Sequence, residues 1–306
     1  MKRLLILILC AVLVLSMTSC GRSTKPAPAP TTSATASPTA PTAEPTQPLI
    51  PTEPEPETAL VRNEHCAFTV TGTELNEHLG LQIHVLCENT SGRPLMFSWS
   101  SVSVCGFMYE PMWAEEVAPG KKVHSTVSID TYALEQIGIN EAEEVTFKLL
   151  IQDSEEFMNP PVVDQIHTIY PTGKTAETAK MPQYRHVEGE QVIVDNEDLT
   201  FIIRSVDNDL EDLYPLNCYV HNKTDKSLII SWEDVSVNGF MVNPFWSVAV
   251  APGKQAYSDV LFYRSDLREQ DIEVVQSIEF RLQAMDYDNW DAEYLIDEVY
   301  TYKPAQ

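Results

Sequence analysis

An internal repeat at a constant spacing of 133 residues limits, more than any other feature, what this chain can fold into. Residues 61–170 lie over 194–303 without a gap. The densest stretch, WSSVSVCGFMYEPMWAEEVAPGK from Trp99, lies over WEDVSVNGFMVNPFWSVAVAPGK from Trp232, and 14 of these 23 positions are identical. Trp99/Trp232, Gly106/Gly239, Pro111/Pro244, Trp113/Trp246 and Pro119-Gly120/Pro252-Gly253 are among them. Elsewhere identity is thin but the pattern persists: Phe68 meets Phe201, Asn89 meets Asn222, Leu134 meets Leu267 and Asp164 meets Asp297. A unit of about 110 residues is domain-sized, far longer than the 20–50 residues of a solenoid repeat. The chain therefore solves one folding problem twice, at 59–171 and again at 192–306. The polar, weakly patterned segment 172–191 reads as the linker.

Within each copy the apolar period is two, the signature of half-buried strands. Cys66, Phe68 and Val70 alternate with Ala67 and Thr69; Ile83, Val85 and Cys87 alternate with His84; Phe147, Leu149 and Ile151 repeat the rhythm, as do Ile278, Phe280 and Leu282. Asn238-Gly239 suits the two positive φ angles of a type I′ hairpin, and Cys105 takes the Asn position in the first copy. Ala-Pro-Gly at 118–120 and 251–253 suits a type II turn, with Pro presetting φ and Gly taking the positive one. A short helical turn is expected at 131–137 and 266–271, with Asp266 and Glu269 at the spacing of a capping pair. About seven short strands per copy, with turns at regular spacing, predict an all-β chain of two tandem immunoglobulin-like antiparallel β-sandwiches. A small barrel is the alternative architecture.

The phrase from Asp234 to Val242 (DVSVNGFMV), then Pro244, then Ala251-Pro252-Gly253-Lys254 and Ser265-Asp266-Leu267, resembles a repeat of surface lipoproteins from Gram-positive, often gut-dwelling, bacteria. The second copy matches best and the first departs at Cys105 and at Asp130-Thr131. The resemblance implies an immunoglobulin-like fold and a surface location; it implies no activity.

The amino terminus points to the same address. Met1-Lys2-Arg3 precedes an apolar run from Leu4 to about Leu15, too short for a bilayer core that takes roughly 20 residues but of secretory-signal length. Met17-Thr18-Ser19-Cys20 resembles a bacterial lipobox, although that pattern usually has Leu where Met17 stands. The resemblance implies that residues 1–19 are a signal peptide and that the Cys20 thiol carries the lipid. Each buried CH₂ contributes about 0.8 kcal/mol, so two or three acyl chains hold a protein on a membrane. Residues 20–58 are rich in Pro, Thr, Ala and Ser. Such a segment buries too little surface to offset its ordering entropy and reads as an extended, disordered stalk.

Composition excludes more than it selects. Forty-five acidic against twenty basic residues give a net charge of −25, so the basic face of a nucleic-acid binder is absent. No CxxC, HExxH, GxSxG or phosphate-binding glycine loop occurs, and the seven histidines are scattered. No catalytic residues are therefore assigned, and a glycan-directed hydrolase ranks below a non-enzymatic role. Cys66, Cys87 and Cys218 sit at inward positions and read as buried free thiols. A Cys66–Cys87 bridge is the alternative in an oxidising compartment. Cys105, at a turn tip, is the cysteine placed for exposure. Asp207, Asp209, Glu211 and Asp212, and separately Asp286, Asp288 and Asp291, form acidic loops. Calcium takes oxygens from such loops, which makes Asp286, Asp288 and Asp291 candidate ligands, although solvated loops are the simpler reading. Trp113 and Trp246, just beyond the hairpin, are the candidate ligand contacts if exposed; plugging the end of each core is the competing role. The expected function is binding or adhesion at the cell surface, toward a surface protein or a glycan. A spacer or accessory subunit of another envelope protein is the second reading.

Overall fold

The computed structural model describes residues 59–207, 210–244 and 246–304. The signal peptide, Cys20 and the stalk lie outside the described residues, as does Asp209. Pro54–Gln306 forms one compact unit. The first repeat contains β1 (Val61–Arg62), β2 (Cys66–Asn76), β3 (Gly80–Asn89), β4 (Leu95–Val104), β5 (Phe107–Met108), β6 (Ala114–Val117), β7 (Lys122–Ile129), α1 (Thr131–Gln136), β8 (Val145–Asp153) and β9 (Val163–Ile169). The second contains β10 (Gln191–Asp195), β11 (Leu199–Val206), β12 (Leu213–Asn222), β13 (Leu228–Val237), β14 (Phe240–Met241), β15 (Ser247–Val250), β16 (Gln255–Tyr263), α2 (Arg264–Glu269), β17 (Ile278–Asp286) and β18 (Ile296–Tyr302).

Each repeat is an immunoglobulin-like sandwich. One sheet has the order β1-β2-β3-β7 and faces β4-β8-β9, with β5 and β6 paired to β4. The second repeat reproduces it as β10-β11-β12-β16 against β13-β17-β18, with β14 and β15 paired to β13. Pairing within the repeats is antiparallel, as the short turns require. The alternating pattern places Phe68, Ile83, Val85, Phe97, Phe147 and Leu149 in one core and Phe201, Leu216, Val220, Ile230, Phe280 and Leu282 in the other. Each core is centred on a stacked aromatic pair, Trp99 on Phe147 at 3.6 Å and Trp232 on Phe280 at 3.7 Å between ring centroids.

The backbone repeats as faithfully as the core. Cys105 and Asn238 have φ of 47° and 52°, followed by Gly106 and Gly239 at 84° and 86°, so both hairpins adopt the type I′ sign pattern. Gly120 and Gly253 both have φ of 66°, and the Lys121 and Lys254 N–H groups donate to the Ala118 and Ala251 carbonyls at 3.1 Å, closing both Ala-Pro-Gly turns. A buried asparagine ties the sheets together in each repeat. Asn89 Nδ2 donates to the Arg93 and Val117 carbonyls, and Asn222 Nδ2 to those of Lys226 and Val250. The helical turns start at Thr131 and Arg264. Asp130 caps α1 through the Ala133 N–H at 2.7 Å, whereas the cap of α2 is Tyr263 with no side-chain bond. Asp266 thus lies in the first turn of α2 instead of capping it.

The linker packs against both repeats. The Arg185 guanidinium donates to the Gly138 carbonyl of the first repeat at 3.1 Å, and Tyr184 stacks on Tyr219 of the second at 4.0 Å. A further junction lies beside it. Phe107, at the tip of the β4–β5 hairpin, is 1% exposed because it packs on the outer face of the β11-β12-β16 sheet, among Ile202, Tyr219 and Tyr257. Its ring stacks on Tyr257 at 5.1 Å. The Gln255 N–H donates to the Gly106 carbonyl at 2.9 Å, which makes β5 a parallel neighbour of β16. Lys254 pairs with Glu144 at 3.2 Å across the same seam.

Candidate functional site

The exposed indole of this molecule is Trp290, in the loop between β17 and β18, at 62% exposure. Tyr287 and Tyr294 of the same loop are also exposed, and the Tyr287 and Trp290 ring centroids are 6.4 Å apart. The loop is tied at both ends. Tyr287 N–H donates to the Ser227 carbonyl, Asp288 N–H to Asp286 Oδ1 at 3.0 Å, Ala292 N–H to the Asn289 carbonyl and Leu295 N–H to the Ala284 carbonyl. Asp286 Oδ2 pairs with Lys226 at 3.3 Å, which fastens the loop to the start of β13. The result is a loop with a bonded backbone that exposes Tyr287, Trp290 and Tyr294, with Asp288, Asn289 and Asp291 beside them in the chain. A rigid indole face takes the C–H face of a sugar ring, and adjoining carboxylate and amide oxygens accept its hydroxyl hydrogens.

The first repeat builds the same loop on a different surface. Asp153 Oδ1 accepts from Glu155 and Glu156 N–H, and Arg93 takes the place of Lys226. Phe157 stands where Trp290 does, exposed and followed by Met158. The acidic residue that anchors the loop is thus shared, and the exposed residues differ.

A concavity of about 270 Å³ lies between the repeats. Tyr109, Asp130 and Tyr132 line it from the first repeat, and Asn217, Tyr257 and Asp259 from the second. Asp130 Oδ2 accepts from the Tyr109 hydroxyl at 3.0 Å, its other oxygen capping α1. Asn217 and Asp259 face each other across β12 and β16, bonded at 2.8 Å. Burial pushes the Tyr109 and Tyr257 hydroxyls above the usual tyrosine range, so both stay protonated donors. The nearby Ser258 Oγ accepts from the Trp246 indole at 2.9 Å. The cleft offers acceptors and aromatic edges.

The residues singled out from sequence have other work. Trp113 and Trp246 are core residues. Their Nε1 atoms donate to Ser125 and Ser258 at 3.0 and 2.9 Å, and their rings meet Trp99 and Trp232 edge-on at 5.9 and 5.7 Å. Trp246 is 8% exposed and Trp113 is half-buried, so neither presents the open face expected of a ligand contact. Asp286 is buried, and its oxygens are taken by Asp288 N–H and Lys226. Among the described residues no group of three or more His, Cys, Asp or Glu side chains converges to hold a metal ion. Cys66, Cys87, Cys105 and Cys218 are free and buried, including Cys105, which packs into the core of the first repeat instead of being exposed. Sequence reasoning passed over Trp290 because it belongs to one copy only. That difference was the available signal, since an indole that replaces Phe157 is not required by the shared core.

No protein-family model matches the chain, and no curated protein matches it. Among solved structures, it is similar to red sea bream transglutaminase, with 11% identity over 80% of this chain and 32% of that one at a TM-score of 0.24. It is also similar to β-D-mannosidase from Dictyoglomus thermophilum, with 12% identity over 73% of this chain and 22% of that one at a TM-score of 0.23. The chain thus spans a third or less of the length of these solved chains.

Proposed function

We propose that this chain is a non-enzymatic lipoprotein of the bacterial surface that binds glycan through the Trp290 loop. Lipidation at Cys20 holds it on the extracytoplasmic face of the membrane, and the 20–58 stalk sets the sandwiches away from the bilayer. The observation that carries the binding role is the loop of Tyr287, Trp290 and Tyr294, exposed together on a frame of backbone bonds. The net charge of −25 argues against nucleic acid and other polyanions, so the favoured ligands are neutral or cationic glycans. A structural spacer is the second reading, favoured by the sealed junction at Phe107.

The test is binding of residues 54–306 to a glycan array and to purified cell-wall fragments, with and without calcium. Trp290→Ala is expected to weaken a specific signal by about tenfold or more, equivalent to about 1.4 kcal/mol. Tyr132→Ala, in the interdomain cleft, is expected to leave it unchanged. Loss in Tyr132→Ala instead would move the site to the cleft. Silence across the array would end the glycan reading and leave the spacer.

A further inference from the structure

The two repeats carry the same hairpin tripeptide, Gly106-Phe107-Met108 and Gly239-Phe240-Met241, in opposite surroundings. Phe107 is covered by the second repeat, whereas Phe240 is 49% and Met241 65% exposed. Val274, at 66%, adds to this apolar tip. It is held beside the hairpin because Asn238 Nδ2 donates to the Val274 carbonyl at 2.8 Å and Asn238 Oδ1 accepts from Gln276 N–H. An apolar surface fixed in this way is unlike the scattered exposed residues that need no explanation.

The molecule shows what such a tip fits. The first hairpin docks on the outer face of the β11-β12-β16 sheet, through Phe107 on Tyr257 and a backbone bond to the edge of β16. On the equivalent face of the first repeat His124 is exposed and Leu86 half-buried, whereas Thr69 is buried. There β7 is the open edge of its sheet, and His124 takes the place of Tyr257, Leu86 of Tyr219 and Thr69 of Ile202. A shallow depression lies on that face, lined by Thr71, His84, His124 and Thr126.

From these observations we infer that the Phe240 hairpin docks on the β2-β3-β7 face of a second copy of this chain, repeating between molecules the junction that joins the repeats within one. The contact is head-to-tail. Each copy offers one tip and one receiving face, so association continues as an open chain and does not stop at a dimer. It is weaker than the internal junction for identifiable reasons. Ser277 stands where Glu144 pairs with Lys254, and His124 and Thr69 stand where Tyr257 and Ile202 receive Phe107. Confinement on a surface raises the effective concentration and favours such a weak contact. The Trp290 loop follows β17 at the Leu228 end of β13 and the tip follows the Val237 end, so this contact and the proposed glycan site are separate.

The test is sedimentation of residues 54–306 over a wide concentration range. The average mass of the wild type is expected to rise with concentration past that of two chains. Phe240→Asp and His124→Asp, both at exposed positions, are each expected to stay monomeric. Mixed together they retain one intact tip and one intact face, and are expected to form a species of two chains and nothing larger. A monomeric wild type at every concentration would overturn the inference. So would loss of association in Phe240→Asp without recovery on mixing, which would indicate tip-to-tip contact.

Discussion

Phe107→Ala and Phe240→Ala form a matched pair, because the repeat places the same residue at the same hairpin position in two environments. A phenylalanine side chain buries about 200 Å² when fully covered. Phe107 is 1% and Phe240 49% exposed, so docking of the second repeat removes about half of that surface from water. At roughly 25 cal/mol per Å², about 100 Å² corresponds to about 2.5 kcal/mol. Phe107→Ala is expected to destabilise residues 54–306 by that much more than Phe240→Ala does. With a urea dependence of about 2–3 kcal/mol per molar, the unfolding midpoint of Phe107→Ala lies about 1 M below that of Phe240→Ala. The loss falls on the seam between the repeats, so tryptophan fluorescence and circular dichroism are expected to separate into two transitions in Phe107→Ala. In the wild type and in Phe240→Ala they coincide. Dilute protein keeps association between copies out of the comparison. Equal midpoints for the two variants would refute the reasoning, because they would mean that the Phe107–Tyr257 junction does not form in solution.

Three further outcomes follow from the described geometry. Asn222→Ala is expected to cost about 2–3 kcal/mol in urea unfolding, because it strands buried carbonyls that the Asn222 amide now satisfies. Trp246→Ala is expected to cost about 3–5 kcal/mol as a core truncation, and Trp290→Ala less than about 0.5 kcal/mol as a surface change; thermal unfolding of the pair checks this. Burial pushes the Cys87 thiol up to about 12 and raises those of Cys66, Cys105 and Cys218. A thiol reagent at pH 8 is therefore expected to find no reactive cysteine in native residues 54–306, and four once the protein is unfolded.

Much of the fold was legible because it follows from local rules. Alternation in Phe68, Ile83, Phe147 and Phe280 requires strands with one buried face. Asn238-Gly239 and Ala-Pro-Gly select their turns through φ alone. The duplication sharpened this reading, since positions that stay apolar in both copies are core. Applied to Trp113 and Trp246, the same logic gives the core role that stood beside ligand contact, and their edge-on packing against Trp99 and Trp232 is that role. For Trp290 the informative fact was the difference between the copies.

The sequence by itself determined the repeat, the strands and turns of each sandwich and the composition of the two cores, because neighbours in the chain and the period of two are sufficient for those. Only the tertiary structure decided which surfaces remain free. Gly-Phe-Met is identical at 106–108 and 239–241, yet one copy is buried and the other faces water. Nothing in the tripeptide or its hairpin could separate them. The distinction lies in Ile202, Tyr219 and Tyr257, distant in the chain, which cover Phe107 while Phe240 faces water. Burial at a junction depends on the partner surface as much as on the residue that docks.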